Sequence, residues 1–473
     1  MNERRAPFLP PLPPLSGAPL VILPDSGADL LRRELGFAFN ELGFAVRRVN
    51  PQALLDSGSP DYLPRLLELR PALFFSVNLQ GLLPGGVTIK TLLESGTPTL
   101  AWFVDNPWHV LSGMRDPSWK KLTLAVTDAS FVGPLEAALA QGGAGQANHP
   151  SQAFDARAVS ATRNGAALPP ARVLHLPLAA CPYCLEQSRQ YTLKSGAAFM
   201  SAPLGEVVFA GRSSFPGKQR FFAGLKLPSE LSDTANAPSM LDEARAALER
   251  GCRPDFAWWV QKLGLAAEQA AFWPGKKSRL PGLGAAESNR LWRTACLKAL
   301  LESGPNVPAV SRLNSPADSG LNALVASKPV ALSPLTLFGD ADWLEDFSNS
   351  NCFDLRPAFD YYAHLQPVYA NAAFSLNLNS LLLPSGLSQR AFDVWAAGGF
   401  CLSDASPGLD IFSSDLILPV CFRTLEELLE LRDKFRAEPD KKENLRRAWQ
   451  DYILTGHTYT HRLRDLPKLL KLS

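Results

Sequence analysis

The feature that most constrains the fold is an alternation of short, wholly apolar runs with longer amphipathic stretches. Runs that are apolar on both faces indicate parallel strands covered by helices on both sides. Leu30–Leu42, ended by Gly43, is one such amphipathic stretch and is typical of a helix. In the first half of the chain the predicted strands are Pro19–Pro24, Phe44–Val49, Ala72–Val77, Thr97–Val104, Leu122–Val126 and Val173–Leu178. This half is therefore predicted to form a doubly wound α/β domain.

The second half repeats the alternation. Its predicted strands are Glu206–Ala210, Leu335–Phe338, Phe353–Leu355, Phe374–Leu378, Phe400–Leu402 and Leu416–Pro419. A mostly helical block at about 220–301 interrupts them, and we interpret its four tryptophans as core residues: Trp258, Trp259, Trp273 and Trp292. Two helices, Leu425–Arg436 and Lys441–Thr455, close the chain. Two such domains would face a cleft, which is where small ligands usually bind.

The length of the chain supports this division. At 473 residues it exceeds the size at which a single core stops growing, roughly 250–300 residues. We predict a proline-rich mobile tail at 1–16 and an N-terminal Rossmann-like domain at 17–200, with a flexible loop at about 141–168. A C-terminal Rossmann-like domain is predicted at 201–455, and a tail at 456–473 that packs back on the fold.

Charge and hydropathy argue against several classes of protein. The chain has 47 Lys and Arg residues against 45 Asp and Glu, so it lacks the excess basic charge of a dedicated nucleic-acid binder. No run reaches the roughly 18–20 apolar residues of a membrane span, and no signal peptide is recognisable. The faintly amphipathic end RLRDLPKLLKLS favours at most peripheral membrane contact. We expect a cytoplasmic protein that does not bind nucleic acid.

The cysteines and histidines do not predict a metal site. Cys181 and Cys184 form the one CxxC motif, without a second ligand pair at zinc spacing. The motif lacks the helix-start context of a redox dithiol, so two reduced structural cysteines are favoured over that alternative. His457 and His461 are spaced for one helix face but lack an HExxH companion, and we interpret them as structural.

The most informative segment for function is 374–404, which reads as strand, polar loop, short helix, glycine pair and strand. A parallel unit of this kind holds its ligand at the carboxyl ends of the strands. The loop and helix start around Ser385 and Gly386 would offer backbone N–H groups to phosphate. Arg390 would hold phosphate or brace Asp393, and Asp393 would bind the hydroxyls of a ribose. The segment predicts a nucleotide-sugar site.

Further polar residues follow predicted strands. Arg212 and Lys218 come after the first strand of the second domain, where phosphate is received, although surface cations are an alternative. The loop has neither a GxGxxG nor a P-loop pattern. Asn377 lies in a buried strand and would bond either a ligand or the adjoining loop. Asp105 and His109 follow a strand of the first domain and are candidate catalytic residues, with a structural role as the alternative.

Several segments carry a resemblance to a known family. LNLNSLLLPSGLSQRAFDVWAAGGFCLSD, with YYAHLQPVYANA before it and HTYTHRL after it, resembles the glycosyltransferase family of spore-maturation-type proteins. That family is related to the retaining GT-B transferases of the glycosyltransferase group 1 type. WFVDNP and VLHLPLA resemble its N-terminal portion. The resemblance is strongest over 355–465 and weaker over about 17–215.

The resemblance implies a GT-B fold with the nucleotide-sugar donor on the second domain and the acceptor on the first. The wider group has two glutamates eight positions apart, of which the second aligns with Asp393, the residue that would bind the ribose. The first aligns with Ser385, which is not an acid. The group's diphosphate-binding arginine and lysine resemble Arg212 and Lys218, and its N-domain histidine corresponds to His109.

Together these observations predict an enzyme of the hexosyltransferase type. It would move a sugar from a nucleoside-diphosphate sugar, its co-substrate, to a glycan or protein acceptor, without a cofactor or metal. Retention of configuration is implied by the family resemblance alone. Ser385 at an acid position motivates one alternative, a degenerate protein that binds the sugar nucleotide or a glycan without turnover. The proline-rich tail and the helical block motivate another, a scaffold or assembly protein.

Overall fold

The computed structural model describes most of the chain. The described residues are 17–27, 30–55, 61–82, 86–114, 116–140, 173–195, 203–228, 239–265, 276–303, 333–347 and 354–470. The predicted proline-rich tail 1–16, the predicted flexible loop at about 141–168 and Trp273 lie outside these residues.

The first half of the chain forms a six-stranded, wholly parallel sheet within the described residues. Its strands are β1 (Leu20–Pro24), β2 (Ala45–Val49), β3 (Leu73–Val77), β4 (Thr99–Phe103), β5 (Thr123–Val126) and β6 (Val173–His175). The order is β2-β1-β3-β4-β5-β6. Strands β3 and β4 are buried along their whole length, because helices cover both faces of the sheet. The strand order reverses between β1 and β3, a doubly wound topology.

The second half forms another six-stranded parallel sheet. Its strands are β7 (Val207–Ala210), β8 (Leu335–Gly339), β9 (Asp354–Pro357), β10 (Phe374–Asn377), β11 (Cys401–Asp404) and β12 (Cys421–Phe422). The order is β12-β11-β10-β7-β8-β9, that of a Rossmann sheet, with its reversal between β7 and β10. The predicted fold class, α/β with two Rossmann-like doubly wound domains of the GT-B type, is confirmed.

Helices surround both sheets. In the first half they are α1 (Arg32–Glu41), α2 (Pro51–Leu55), α3 (Tyr62–Leu67), α4 (Val87–Glu94), α5 (Pro107–Leu111), α6 (Val132–Ala140) and α7 (Pro182–Ser195). In the second half they are α8 (Lys218–Phe221), α9 (Met240–Glu249), α10 (Phe256–Lys262), α11 (Lys276–Glu302), α12 (Trp343–Asp346), α13 (Tyr361–Asn371), α14 (Arg390–Ala396), α15 (Ser414–Ile417), α16 (Leu425–Ala437), α17 (Pro439–Gly456), α18 (Tyr459–Leu463) and α19 (Leu466–Leu469).

One predicted strand is wrong. Leu416–Pro419 lies in helical turns, and the edge strand β12 begins at Cys421. The amides of Leu416 and Ile417 both donate to the Ser413 carbonyl, which closes a helical turn. Pro419 has no N–H to give to a sheet ladder, and Leu418 is 68% exposed. The apolar run was therefore too exposed and too poor in donors to pair as a strand.

The helical block packs on the first domain as well as the second. Trp259 and Phe256 share one apolar cluster with Trp108 and Phe131 of the first domain. Helix α11 itself contacts α5 of the first domain, and Trp292, further along α11, packs in the cluster that contains the core of the second sheet. The predicted core position of Trp259 and Trp292 is confirmed, since both are buried, while Trp258 is half-buried. Helix α11 therefore spans both domains.

The C-terminal residues return to the first domain. Thr458 forms a parallel bridge with Ala180, and α18 packs on α1. Tyr459 is buried with its ring centroid 6.3 Å from that of Trp102. A second contact between the halves joins α7 to α13. The C-terminal residues and the contact between α7 and α13 thus join the two domains in addition to the helical block.

Candidate functional site

Arg390 lies at the point where the strand order of the second sheet reverses. Its guanidinium donates to the Ala210 carbonyl at the end of β7 (2.5 Å) and to the Leu378 carbonyl just after β10 (3.1 Å). The group also lies 5.0 Å from the centroid of the Phe209 ring. Its Nε–H is buried without a partner among the described residues. A cation therefore spans the crevice in which doubly wound sheets bind ligands.

Arg212 and Lys218 lie on the loop and helix that follow β7, and among the described residues only Lys218 forms an ion pair. The Arg212 side chain is exposed. The Lys218 Nζ lies 2.7 Å from Glu287 Oε1 of α11, and both side chains are partly shielded. Both cations lie after the first strand of the second domain, where the sequence predicts them. Arg212 is the more accessible of the two.

Asn377 is bonded within the protein. It is fully buried, donates to Ser403 Oγ (2.9 Å) and Asn379 Oδ1 (3.3 Å), and accepts from Ser388 Oγ (2.5 Å). Asn379 in turn donates twice to Asp404 Oδ1, from its backbone N (2.8 Å) and its Nδ2 (2.9 Å). Of the two roles left open for Asn377, the structure shows the bonding to the adjoining loop.

Ser385 joins the loop after β10 to the first domain. Its backbone N–H donates to Asp128 Oδ2 (3.0 Å), and its hydroxyl donates to the other oxygen of that carboxylate. The Asn106 side chain, N-cap of α5, donates to the Leu382 carbonyl of the same loop (3.0 Å). Gly386 is buried, and a Cβ there would lie 2.7 Å from Leu383 Cβ, so the loop needs glycine at this close approach.

Asp393 is buried, with 2% of its surface exposed. Its two oxygens accept from the Tyr361 hydroxyl (2.6 Å) and from Gln389 Nε2 (2.9 Å). Burial outweighs these bonds and raises the pKa of Asp393 to about 7. A ribose would reach this carboxyl only if Tyr361 or Gln389 moved aside.

A second buried carboxyl, Glu34 of α1, faces Asp393 from the first domain. Glu34 is fully buried and accepts from the Tyr362 hydroxyl (2.9 Å), next in sequence to the tyrosine that binds Asp393. Burial raises the pKa of Glu34, and its negative charge contributes to the raised pKa of Asp393. The junction between the domains therefore contains two acids, each capped by one of the adjacent tyrosines.

On the side of the first domain, Asp105 and His109 have different surroundings. Asp105 is exposed at the end of β4 and accepts from Asn78 Nδ2 (2.8 Å). His109 lies beneath α11, so close that a Cβ on Gly282 would be 2.0 Å from its Nε2. Burial, with the nearby charge of Arg279, lowers the pKa of His109 to about 3. The imidazole is neutral and its Nε2 is buried against α11, so a catalytic role for that nitrogen would require α11 to move.

The expectation that the CxxC motif lies outside a helix start is wrong. Cys181 immediately precedes α7 and Cys184 lies in its first turn, so the motif does occupy a helix start. Both cysteines are free and buried, and burial raises the pKa of the Cys184 thiol. The favoured interpretation, reduced structural cysteines, agrees with this burial.

His457 and His461 bond locally. His461 and Thr458 form a capping box at the start of α18, and His457 Nδ1 lies 2.8 Å from Arg462 Nη2. The described part of the chain contains no group of three or more His, Cys, Asp or Glu side chains that could hold a metal ion. Its helices also include none that is long and apolar enough to cross a bilayer.

The sequence analysis did not identify two residues at this site, Asp128 and Arg293. Asp128 comes two residues after the end of β5, as Asp105 comes two residues after the end of β4, and could have been found by the same signal. Arg293 of α11 donates to the Arg212 carbonyl (3.0 Å). Nothing in the sequence around Arg293 distinguishes it from other surface cations, because only the fold brings α11 to the end of β7.

Comparisons with known proteins bear on the second domain. A family model described as "Glycosyl transferase-like" matches residues 321–468, which include Ser385, Arg390 and Asp393. No curated protein matches the chain.

Solved structures resemble the chain only at the level of the overall chain path. HepE of Anabaena in complex with UDP-glucose is 8% identical and has a TM-score of 0.45, with 96% of this chain and 99% of that chain covered. A trehalose-phosphate synthase from Burkholderia vietnamiensis is 9% identical with a TM-score of 0.43, over 96% and 97% of the two chains. The fold assignment rests on the strand order of the chain itself.

Proposed function

We propose that the protein is a glycosyltransferase that takes a sugar from a nucleoside-diphosphate sugar. The observation that carries the proposal is the position of Arg390, which spans the carboxyl ends of β7 and β10 at the strand-order reversal. Arg390 lies within the segment that matches a glycosyltransferase-like family model, which supports the same conclusion. The family model covers less than half of the chain, so the activity of the whole protein is part of the proposal.

The chemistry follows from the charges at this site. When the sugar leaves, the nucleoside diphosphate gains negative charge, and preorganised cations stabilise it in the transition state. Arg390 and the exposed Arg212 would supply that charge, with Lys218 available if it leaves Glu287. Removal of one such donor typically slows transfer by ~10²–10³. In this proposal the side chains of the protein replace a metal ion, and Asp393 binds the ribose once its tyrosine cap opens.

The first domain would bind the acceptor, a glycan or a protein side chain. Asp105 is exposed at the end of β4, on the edge that faces the second domain through the contact between Asn106 and Leu382. We retain Asp105 and His109 as the proposed catalytic residues, with His109 acting only after α11 has moved. Retention of configuration and a hexose as the transferred sugar belong to the same proposal, as does action in the cytoplasm.

A screen of ligands tests the proposal. The purified protein is heated with UDP, GDP, ADP, CMP and their sugars, and the melting temperature is recorded. A ligand at ~100 times its Kd adds ~2.7 kcal/mol of stability, enough for a shift of about 3 °C in a chain of this length. One nucleoside diphosphate should raise the melting temperature, and its sugar should be consumed when glycans or proteins are added.

Two observations favour a second candidate, a donor-binding protein without turnover. Ser385, at a position where the resembled group has an acid, is bound to Asp128, and His109 is covered by α11. This candidate predicts the same rise in melting temperature but neither transfer nor hydrolysis of the bound sugar nucleotide. The absence of any nucleotide binding would exclude both candidates and leave the scaffold alternative.

A further inference from the structure

We propose that Arg293, on the helical block, forms an anion site with Arg390 that receives the diphosphate of the donor. The inference rests on the proposed function and assigns to the donor site a residue outside the segment 321–468 that matches the family model. It also gives the helical block a role in binding, whereas its sequence indicates only packing.

The two guanidinium groups converge on one short segment. Arg390 donates to the Ala210 carbonyl and Arg293 donates to the Arg212 carbonyl, two residues further along the same loop (3.0 Å). A Cβ on the intervening Gly211 would lie 3.1 Å from Arg390 Nη1. Two cations from different helices are therefore held by the backbone at the end of β7.

Neither guanidinium forms an ion pair with a carboxylate within the described residues. The Nε–H of Arg293 and the Nε–H of Arg390 are both buried and without a hydrogen-bond partner there. A buried donor on a charged group is costly to leave unpaired, and the cost is greater beside a like charge. Two such donors at one place indicate an anion that bonds both.

The two carboxylates whose charges act on Arg293, Asp340 and Asp404, already have other hydrogen-bond donors. Asp340 accepts from the Ser213 hydroxyl (2.7 Å) and from its backbone N–H (3.2 Å). Asp404 accepts from Asn379, from Arg253 (3.2 Å) and from the Trp292 indole (3.1 Å). Both acids raise the pKa of Arg293, but burial and Arg390 outweigh them and lower it to about 9. The guanidinium remains charged at neutral pH and has no paired carboxylate in the part of the chain that the structure describes.

The place and the geometry suit a diphosphate. The pair lies at the strand-order reversal between β7 and β10, outside the carboxyl ends of the strands, where doubly wound sheets bind phosphorylated ligands. Arginine donates in a planar fork to phosphate oxygens. The exposed side chain of Arg212 lies on the same loop and could add a third cation.

Inorganic pyrophosphate is the probe that isolates this contact, because it carries the phosphates without the base, ribose or sugar. Its affinity for the full chain is measured by calorimetry, together with that of the nucleoside diphosphate found in the screen. Arg293→Gln keeps a donor for the Arg212 carbonyl but removes the charge. We expect pyrophosphate and diphosphate to bind about 10- to 100-fold more weakly to this variant.

Arg290→Gln on the same helix is the matched control. Arg290 is paired with the carboxylates of Asp346 and Glu345 of α12, so its loss should lower stability without changing either affinity. Unchanged affinities in Arg293→Gln, with only a lower melting temperature, would show that Arg293 stabilises the fold but does not bind the anion. That result would overturn the inference and leave the proposed function standing. A wild-type chain that binds neither ligand would overturn both.

Discussion

At the scale of single residues, the site is defined by cations held on carbonyl oxygens instead of carboxylates. Arg390 bonds the last carbonyl of β7 and the carbonyl just after β10, and Arg293 bonds a third carbonyl nearby. Lys218 is the exception, since it pairs with Glu287. Carbonyl partners orient a guanidinium without neutralising it, so its charge remains available to an incoming anion.

Gly211 allows this arrangement, and its replacement should disturb it. A Cβ there would lie 2.8 Å from the edge of the Phe209 ring and 3.1 Å from Arg390 Nη1. We expect Gly211→Ala to lower the free energy of unfolding by ~1–3 kcal/mol, as overpacking does, and to weaken nucleoside-diphosphate binding. Chemical denaturation and calorimetry measure the two effects.

Gly133→Ala is the control for the glycine substitution. Gly133 lies in α6 with nothing within 4 Å of an added Cβ, so its replacement should leave stability equal or slightly higher. If Gly211→Ala behaves like Gly133→Ala in both measurements, the described packing of Arg390 against the β7 loop is wrong.

The raised pKa of Asp393 makes the stability of the protein depend on pH. Its pKa is about 7 in the folded protein, against ~3.9 when unfolded, so the folded state binds the extra proton between these values. The contribution of Asp393 to stability is therefore greatest at low pH and is lost as the pH rises toward 7. From pH 5 to pH 8 the stability of Asp393→Asn should gain about 2–3 kcal/mol relative to the wild type.

Urea unfolding of both proteins at each pH measures this difference. The comparison of slopes removes any constant cost of the amide, which faces Gln389 Nε2 in place of a carboxylate oxygen. A constant difference across the range would mean that Asp393 titrates normally in the folded protein and is accessible to water. In that case a ribose could reach it without displacing Tyr361.

At the scale of elements, the loop after β10 and helix α11 cross from one domain to the other. The loop is held to the first domain through the bonds of Ser385 to Asp128 and of Leu382 to Asn106. Helix α11 covers His109 at one part of its length and buries Trp292 in the second domain at another. These two elements set the spacing of the domains around the proposed site.

Asp128→Ala should separate the loop from the first domain. The substitution leaves the backbone N–H groups of Ser130 and Ser385 without their carboxylate, and we expect a loss of about 2–3 kcal/mol of stability. Hydrogen exchange at residues 382–388 should become faster in the variant than in the wild type.

Asp116→Ala controls for the loss of a helix cap. Asp116 caps the 3₁₀ turn at Ser118, as Asp128 does at Ser130, but it contacts only the first domain through Lys90. Equal stability losses in the two variants, with unchanged exchange in the loop, would mean that the bond between Ser385 and Asp128 contributes nothing to domain contact.

The packing of α11 on His109 can be tested by a double-mutant cycle. Gly282→Ala places a methyl group 2.0 Å from the His109 ring nitrogen and should destabilise by ~1–3 kcal/mol. His109→Ala makes room for that methyl group at the cost of a cavity. The double variant should be more stable than the sum of the single losses predicts, by about 1 kcal/mol or more. Additive losses would show that the helix and the histidine are not in contact.

At the scale of the whole molecule, the alternation of apolar runs was sufficient to predict the architecture. Strands buried on both faces, such as β3 and β4, have a sequence signature that needs no tertiary information. The exception, Leu416–Pro419, is an apolar run at an exposed edge, where burial does not favour a strand. The position of the loop after β10 was also predicted from its polar residues, and a role of those residues in ligand binding stays a prediction.

Contacts between distant segments could not be predicted in the same way. The burial of Asp393 depends on Tyr361 and Gln389, and the cover over His109 depends on α11, which is more than 160 residues away in sequence. The proximity of Arg293 to the end of β7 arises in the same way. Local patterns carry no information on such pairs, because only the packing of the helical block across both domains brings them together.

The central claim is that a nucleoside-diphosphate sugar binds where β7 and β10 end. Hydrogen exchange with and without a saturating amount of the nucleoside diphosphate from the screen tests it most directly, since bound phosphate slows exchange of the amides around it. The account predicts slower exchange in residues 211–217 and 378–389, with little change at the opposite ends of the strands. Protection confined to other regions, or none at all, would contradict it.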